Sequence, residues 1–242
     1  LISWLSDDTP FPPVERALSS PNGLLAAGGD LTVPRLLEAY RSGIFPWFNP
    51  GETILWWSPD PRTVLIPGEF KTSRSLAKML RNRTYEVRSD TVFEQVMRGC
   101  AAPRAKHPDS HPGTWIGEDM IAAYCALHQL GYAHSVEVWM DGKLVGGLYG
   151  VSIGRMFYGE SMYSDASNAS KIALAHLARQ LERWQPDPST KLVSMIDCQM
   201  NTPHLASLGA REIPRSEFIA RLQDLVHCAP MTNWQFDTDL FA

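Results

Sequence analysis

Leu192-Val193-Ser194-Met195-Ile196-Asp197-Cys198-Gln199 is a short apolar, β-leaning run that ends abruptly in polar side chains. The polar turn Pro186-Asp187-Pro188-Ser189 stands before it and Asn201-Thr202-Pro203-His204 after it. An apolar run of this length between turn signals reads as a buried strand. In an α/β architecture the carboxyl end of such a strand opens into the ligand crevice, so its last side chains face substrate. Asp197 and Gln199 are two residues apart, which puts both on one face of an extended chain. A carboxylate accepts a proton or pairs with a cation, and an amide both donates and accepts hydrogen bonds. A structural role also stands open on spacing alone, with Asp197 capping the next helix and Gln199 satisfying loop backbone.

Upstream of this run the pattern is β from Ala133 onward. Residues 135–140 pair through Asp141-Gly142 with residues 144–153, a strong hairpin signal. Residues 156–163 make a third strand after the turn at Gly154. Asn168 then stands where a helix cap is wanted, ahead of Lys171, Leu174, Leu177 and Leu181. The order strand, strand, strand, helix, strand, helix, strand ends near Arg211-Glu212-Ile213. It predicts an α+β fold, an N-acetyltransferase-like mixed sheet flanked by helices. Glu160 alternates with apolar neighbours, which makes it a strand-edge carboxylate.

At 242 residues, with 44% hydrophobic and 20% charged side chains, the chain has the composition of a globular protein with a sizeable core. No apolar run approaches the roughly 20 residues that span a bilayer. The N-terminus lacks the basic-then-apolar pattern of a secretory signal, and without an initiator Met it is expected to begin inside the natural chain. Cys100, Cys125, Cys198 and Cys228 are widely spaced, which favours free thiols in a reducing cytosol over disulfides or zinc. A formal charge of −4 argues against indiscriminate coating of nucleic acid, and leaves room for one local basic patch.

Residues 1–60 are rich in proline, glycine and tryptophan and read as a small irregular N-terminal domain, with residues 61–242 as the catalytic one. A helix is expected over residues 33–42, capped by Thr32, with Pro34 in its first turn and Gly43 stopping it. Leu36, Leu37 and Tyr40 form its buried face. Further on, Lys71, Arg74, Lys78 and Arg81 recur at helical spacing behind Thr72 and Ser73, either of which can cap. Leu76, Met79 and Leu80 face the other way, and no acidic residue interrupts the run through Arg83. Such a strip suits phosphates, without base reading. The polar loop 103–112 holds His107 and His111, but Pro108 and Pro112 argue against a helix there, and no third ligand suggests a metal. A further helix is expected over 119–130, ended by Gly131.

Several ordered motifs carry a resemblance. Pro21-Asn22-Gly23-Leu24-Leu25-Ala26, Gly28-Gly29-Asp30-Leu31, Gly43-Ile44-Phe45-Pro46-Trp47-Phe48, Trp56-Trp57-Ser58-Pro59 and Gly159-Glu160-Ser161-Met162 come first. Asp197-Cys198-Gln199, the run from His204 to Ala210, and Glu212-Ile213-Pro214-Arg215 complete the series. Together they resemble the bacterial leucyl/phenylalanyl-tRNA–protein transferases, which move an amino acid from tRNA onto a protein N-terminus. The resemblance implies Asp197, Gln199 and Glu160 as the reacting centre. Asp197 is then the electrostatic partner and base, relayed through Gln199, which also positions the amine or ester. Glu160 holds the network and attracts an N-terminal Arg or Lys. It implies an apolar pocket drawn from Trp47, Trp115, Tyr124, Leu148, Phe157, Leu177, Ile196 and Cys198. The family carries Met or Phe where Leu148 and Leu177 stand, a departure that bears on donor ranking. Lys71, Arg74, Lys78, Arg81 and Arg83 would meet the tRNA backbone, and Trp47 or Trp115 would stack on its terminal adenine. The implied protein needs no cofactor and no metal, and acts in the cytoplasm as a monomer. Its partners are aminoacyl-tRNA carrying Leu, Phe or Met and acceptors with N-terminal Arg or Lys, and no membrane. Transfer marks the acceptors for degradation.

Two rivals are weighed against this. An acyl-CoA-dependent N-acyltransferase would seat a pyrophosphate on a basic, glycine-rich turn after the third strand, where this chain reads Tyr163-Ser164-Asp165-Ala166-Ser167-Asn168-Ala169-Ser170. A non-catalytic RNA- or peptide-binding module is disfavoured by acidic and amide side chains placed at strand ends.

Overall fold

The computed structural model describes residues 2–6, 8–102, 114–184 and 193–241. The turn 186–189, Leu192, and the loop with His107 and His111 lie outside the described residues. The chain opens with strands β1 (Ser3–Leu5) and β2 (Leu24–Gly28), helix α1 (Val33–Arg41), and strands β3 (Phe45–Pro46) and β4 (Leu55–Trp57). The four strands form one sheet in the order β1-β2-β4-β3. Pro46 sits in the edge strand, where its missing N–H breaks no ladder. In α1, Leu36, Leu37 and Tyr40 are buried, as their spacing predicts. Thr32 holds the N-cap position without a capping bond, because its hydroxyl donates instead to Asp30 Oδ1 at 2.7 Å.

A second, larger sheet begins at β5 (Arg62–Leu65). Helix α2 (Arg74–Asn82), strand β6 (Glu86–Ser89), and helices α3 (Phe93–Ala101) and α4 (Glu118–Gln129) follow. Then come β7 (Ala133–Met140), β8 (Lys143–Ile153) and β9 (Met156–Ser164), the predicted hairpin and third strand. Helix α5 (Ala169–Arg183), strand β10 (Met195–Gln199), helix α6 (Pro203–Ser207), strand β11 (Arg211–Ile213) and helix α7 (Arg215–Val226) complete the described elements. The sheet order is β11-β5-β10-β9-β8-β7-β6. Among the described strands of this sheet only β9 and β10, on either side of α5 in the chain, pair in parallel, so the sheet is mixed as expected. Asn168 precedes α5 in a left-handed conformation but makes no capping bond. Ser164 does that work, its hydroxyl accepting from Ser170 N–H at 2.7 Å.

Alternation along the strands divides the interior into two cores, one on each face of this sheet. Tyr149, Tyr158 and Met195 face a core shared with α1, α3, α4 and α7, including Leu36, Tyr40, Val96, Tyr124 and Phe218. Leu148, Phe157 and Ile196 face the other, built on Leu174 and Leu177 of α5. The tail after His227 has more than surface contacts. Trp234 is buried in the second core and stacks on His134 with ring centroids 3.7 Å apart. Asp237 exchanges hydrogen bonds with Gln180 and pairs with Arg183.

Candidate active site

Two bulges lie near each other where β9 and β10 separate. Tyr149 pairs with Ser161 and Gly150 with Gly159, which leaves Glu160 as the extra residue of β9. Asp197 pairs with Val64 and Gln199 with Thr63, which leaves Cys198 as the extra residue of β10. The parallel pairing of β10 with β9 runs from Met195 to Asp197, opposite Met156 to Tyr158, and goes no further among the described residues. Bulges re-aim side chains and end pairing, and they collect beside active sites. The sheet therefore parts at the residues that the sequence singles out.

Glu160 is gripped by two phenols. Tyr40 of α1 donates to its Oε1 at 2.7 Å and Tyr124 of α4 donates to its Oε2 at 3.1 Å. The two hydroxyl oxygens also touch, and as each phenol has a single proton, one of them donates either to its neighbour or to Glu160. Burial disfavours the carboxylate and pushes Glu160 up to about 7, while the two phenol bonds pull the other way. Burial also holds both phenols well above their usual range, so they remain proton donors at neutral pH. Beside them, Tyr149 has a buried hydroxyl without a partner among the described residues.

Asp197 is fully buried and bound by an arginine. Arg62 Nε donates to Oδ1 at 2.8 Å and its terminal nitrogen to Oδ2 at 2.6 Å. Oδ1 also accepts the Gln199 backbone N–H at 3.0 Å. Gln199 lies at φ 56°, and its side-chain nitrogen is buried without a partner among the described residues. The sequence singles out Asp197, Gln199 and Glu160 and gives no role to Arg62 or to the phenol of Tyr40. Tyr40 was visible only as one apolar position on a helix face.

A family model described as leucyl/phenylalanyl-tRNA protein transferase matches residues 64–223, and that family's N-terminal domain matches residues 29–60. The chain belongs to the leucyl/phenylalanyl-tRNA protein transferase family. A member from Nitrosomonas europaea is 62% identical over 98% of this chain and 96% of its own. One from Nitrosospira multiformis is 63% identical over 98% of each. One from Chromobacterium violaceum is 59% identical over 98% of this chain and 97% of its own.

The pocket residues expected from the resemblance fall on both faces of the sheet. Tyr124 reaches Glu160, and Trp115 packs against the core on that same face. Leu148, Phe157, Leu177, Ile196 and Cys198 lie together in the other core, each nearly or wholly buried. Burial pushes the Cys198 thiol up, far from thiolate chemistry. Trp47 is 39% exposed and meets Trp57 edge-on at 5.5 Å, while Trp57 Nε1 donates to the Trp47 carbonyl. Lys71, Arg74, Lys78, Arg81 and Arg83 are all exposed on or beside α2, whose Ser73 accepts from Leu76 N–H. Leu76 and Leu80 are buried beneath it. Away from the site, Asp90, His128 and His134 also cluster. His134 bonds Asp90 and the Gly131 carbonyl, and His128 donates to the Ala133 carbonyl.

Proposed function

We propose that this protein transfers leucine, phenylalanine or methionine from aminoacyl-tRNA to proteins whose N-terminal residue is Arg or Lys. Family membership along nearly the whole chain carries the reaction class. An aminoacyl-tRNA is already an activated ester, so catalysis is mainly positioning and proton management. The acceptor's amine attacks the ester carbonyl, the bond to the terminal ribose oxygen breaks, and an amide forms. The amine gives up a proton, and the ribose oxygen leaves with one.

The Glu160 carboxyl, poised at about 7 between two phenols, is the single observation that carries the assignment of roles. A base near neutral pH suits an α-amine of pKa near ~8. Glu160 therefore takes the proton in our reading, and its charge draws the cationic N-terminal residue. Asp197, its oxygens engaged by Arg62 and by Gln199 N–H, serves as anchor more readily than as base. Gln199 Nε2, a buried donor without a partner among the described residues, suits the ester oxygen on which charge develops. The donor's side chain enters where β9 and β10 part, toward Leu148, Phe157, Leu177, Ile196 and Cys198. The α2 cations track the tRNA backbone, and exposed Trp47 offers its ring to the terminal base. Residues 1–60 and 61–242 would be two domains of one monomer. The setting is the cytoplasm, and modified acceptors are passed on for degradation. Among the described residues no helix is long and apolar enough to cross a membrane.

The test is a transfer assay with labelled leucyl-tRNA and a peptide beginning with Arg, with acetyl-CoA in parallel. Label reaching the peptide only from charged tRNA is the expected result. Consumption of acetyl-CoA without aminoacyl transfer would overturn the reading.

A further inference from the structure

Arg62 is wholly buried, yet the transfer chemistry above gives it no task. It opens β5, next to β10 in the sheet, and its guanidinium meets three parts of the molecule. Two nitrogens grip the two oxygens of Asp197, at 2.8 and 2.6 Å. The third donates to the Gly43 carbonyl at 3.1 Å, just past α1. Its central carbon lies over the rings of Phe45 and Phe218, 4.8 and 4.5 Å from their centroids. A planar cation with a forked set of donors meets all of these demands together, and an ammonium on a flexible stem does not.

The consequence runs on through Asp197. The oxygen held by Arg62 Nε is the same one that accepts the Gln199 backbone N–H at 3.0 Å. Gln199 sits in the left-handed region at φ 56°, which a residue bearing a side chain adopts only when its surroundings hold it there. That backbone turn determines where the Gln199 side chain can reach. Its Nε2 is a buried donor with no partner among the described residues, as expected of a group kept for a ligand. A carboxylate free to rotate would release the Gln199 N–H and with it the aim of the amide.

We infer that Arg62 is a positioning residue for aminoacyl transfer, acting through the Asp197 carboxylate to aim the Gln199 amide at the reacting ester. The inference rests on the reading of Gln199 given under the proposed function. It predicts a loss in turnover and not in tRNA binding, because Gln199 is asked to act on charge that develops in the transition state.

The experiment measures kcat and KM for leucyl-tRNA, with an Arg-initiated peptide as acceptor, in wild type, Arg62→Lys and Gln199→Ala, each checked by thermal melting. Arg62→Lys is expected to melt cooperatively, keep KM within about twofold, and lose about 100-fold in kcat, as does Gln199→Ala. Should Arg62→Lys fail to fold, the double variant Arg62→Gln/Asp197→Asn removes both charges and leaves none buried alone. It is expected to match the kcat of Gln199→Ala with KM unchanged. A folded Arg62 variant that keeps kcat within about threefold of wild type, while Gln199→Ala has lost it, overturns the inference. So does a variant whose loss lies in KM alone. Full turnover by Gln199→Ala would strike instead at the reading of Gln199, and the two failures are thus told apart.

Discussion

Glu160 has a carboxyl whose ionised form costs the fold free energy. Its folded value of about 7 lies above the ordinary 4.5, chiefly through burial. Below the unfolded value the residue is protonated in both states and contributes no difference. As pH rises through that value the unfolded chain loses the proton first, so stability falls until the folded carboxyl ionises too. Above about 7 the full cost, roughly 3 kcal/mol, is present. Glu160→Gln should therefore melt above wild type at about pH 8.5, with the advantage gone by about pH 4.5. The same variant should lose about 100-fold in transfer, the usual worth of a positioned base. Equal melting gaps at both pH values would show that burial does not perturb this carboxyl. The phenols supply a second handle. Tyr40 and Tyr124 lower the Glu160 value through their hydrogen bonds, so Tyr40→Phe should move the acid limb of kcat/KM to higher pH. A limb that stays put would remove Glu160 from the proton path. The carboxylates themselves were legible in sequence as polar residues ending or interrupting apolar runs. Arg62 was not, because a cation after Pro61 looks like a loop residue until a partner 135 positions away is placed beside it.

Among the elements, α2 was legible in its exposed cations, its buried Leu76 and Leu80 and a cap at Thr72 or Ser73, of which Ser73 is the one that caps. Strands β5 and β6 were not read at all. Arg62-Thr63-Val64-Leu65 is too short for a pattern, and all four residues are buried between β10 and β11. Glu86-Val87-Arg88-Ser89 is a largely polar edge strand that exists because β7 offers it a ladder. The cap of α5 was misplaced for a similar reason, since Ser164 acts from outside the helix. The proposed tRNA contact belongs to this scale and falls on α2. Lys78 and Arg81 point to solvent, so Lys78→Gln/Arg81→Gln should change stability by no more than about 0.5 kcal/mol. If they neutralise phosphates, tRNA affinity falls, and the log–log salt dependence becomes shallower by about one for each cation removed. Turnover at saturating tRNA should hold. An unchanged salt slope would return the strip to plain solvated surface.

At the scale of the whole molecule, the mixed sheet was readable from the order of its elements, and its mate across the chain was not. The sheet changes between Trp57 and Arg62, where composition also shifts. Yet Leu36, Tyr40, Ile44 and Phe45 from the N-terminal part share one core with Met195, Phe218 and Leu222. Periodicity reports that a helix has an apolar face, never which distant element covers it. The site itself depends on that docking, because Tyr40 comes from one side and Glu160 from the other. Domains that share a core and an active site should unfold together, unlike domains joined by a small polar interface. We therefore expect a single calorimetric transition whose van't Hoff and calorimetric enthalpies agree. Gly43 tests the same coupling from inside. It lies at φ 74°, and a Cβ there would come within 2.6 Å of Ile219 Cδ1 on α7. Gly43→Ala would strain the backbone and press on α7 at the seam, costing about 2 kcal/mol. If the seam is part of one cooperative unit, that loss lowers the melting temperature of the entire chain and still leaves one transition. Two separable peaks, with only the lower one moved by Gly43→Ala, would mean that the N-terminal part folds on its own, with Tyr40 brought to Glu160 only by docking.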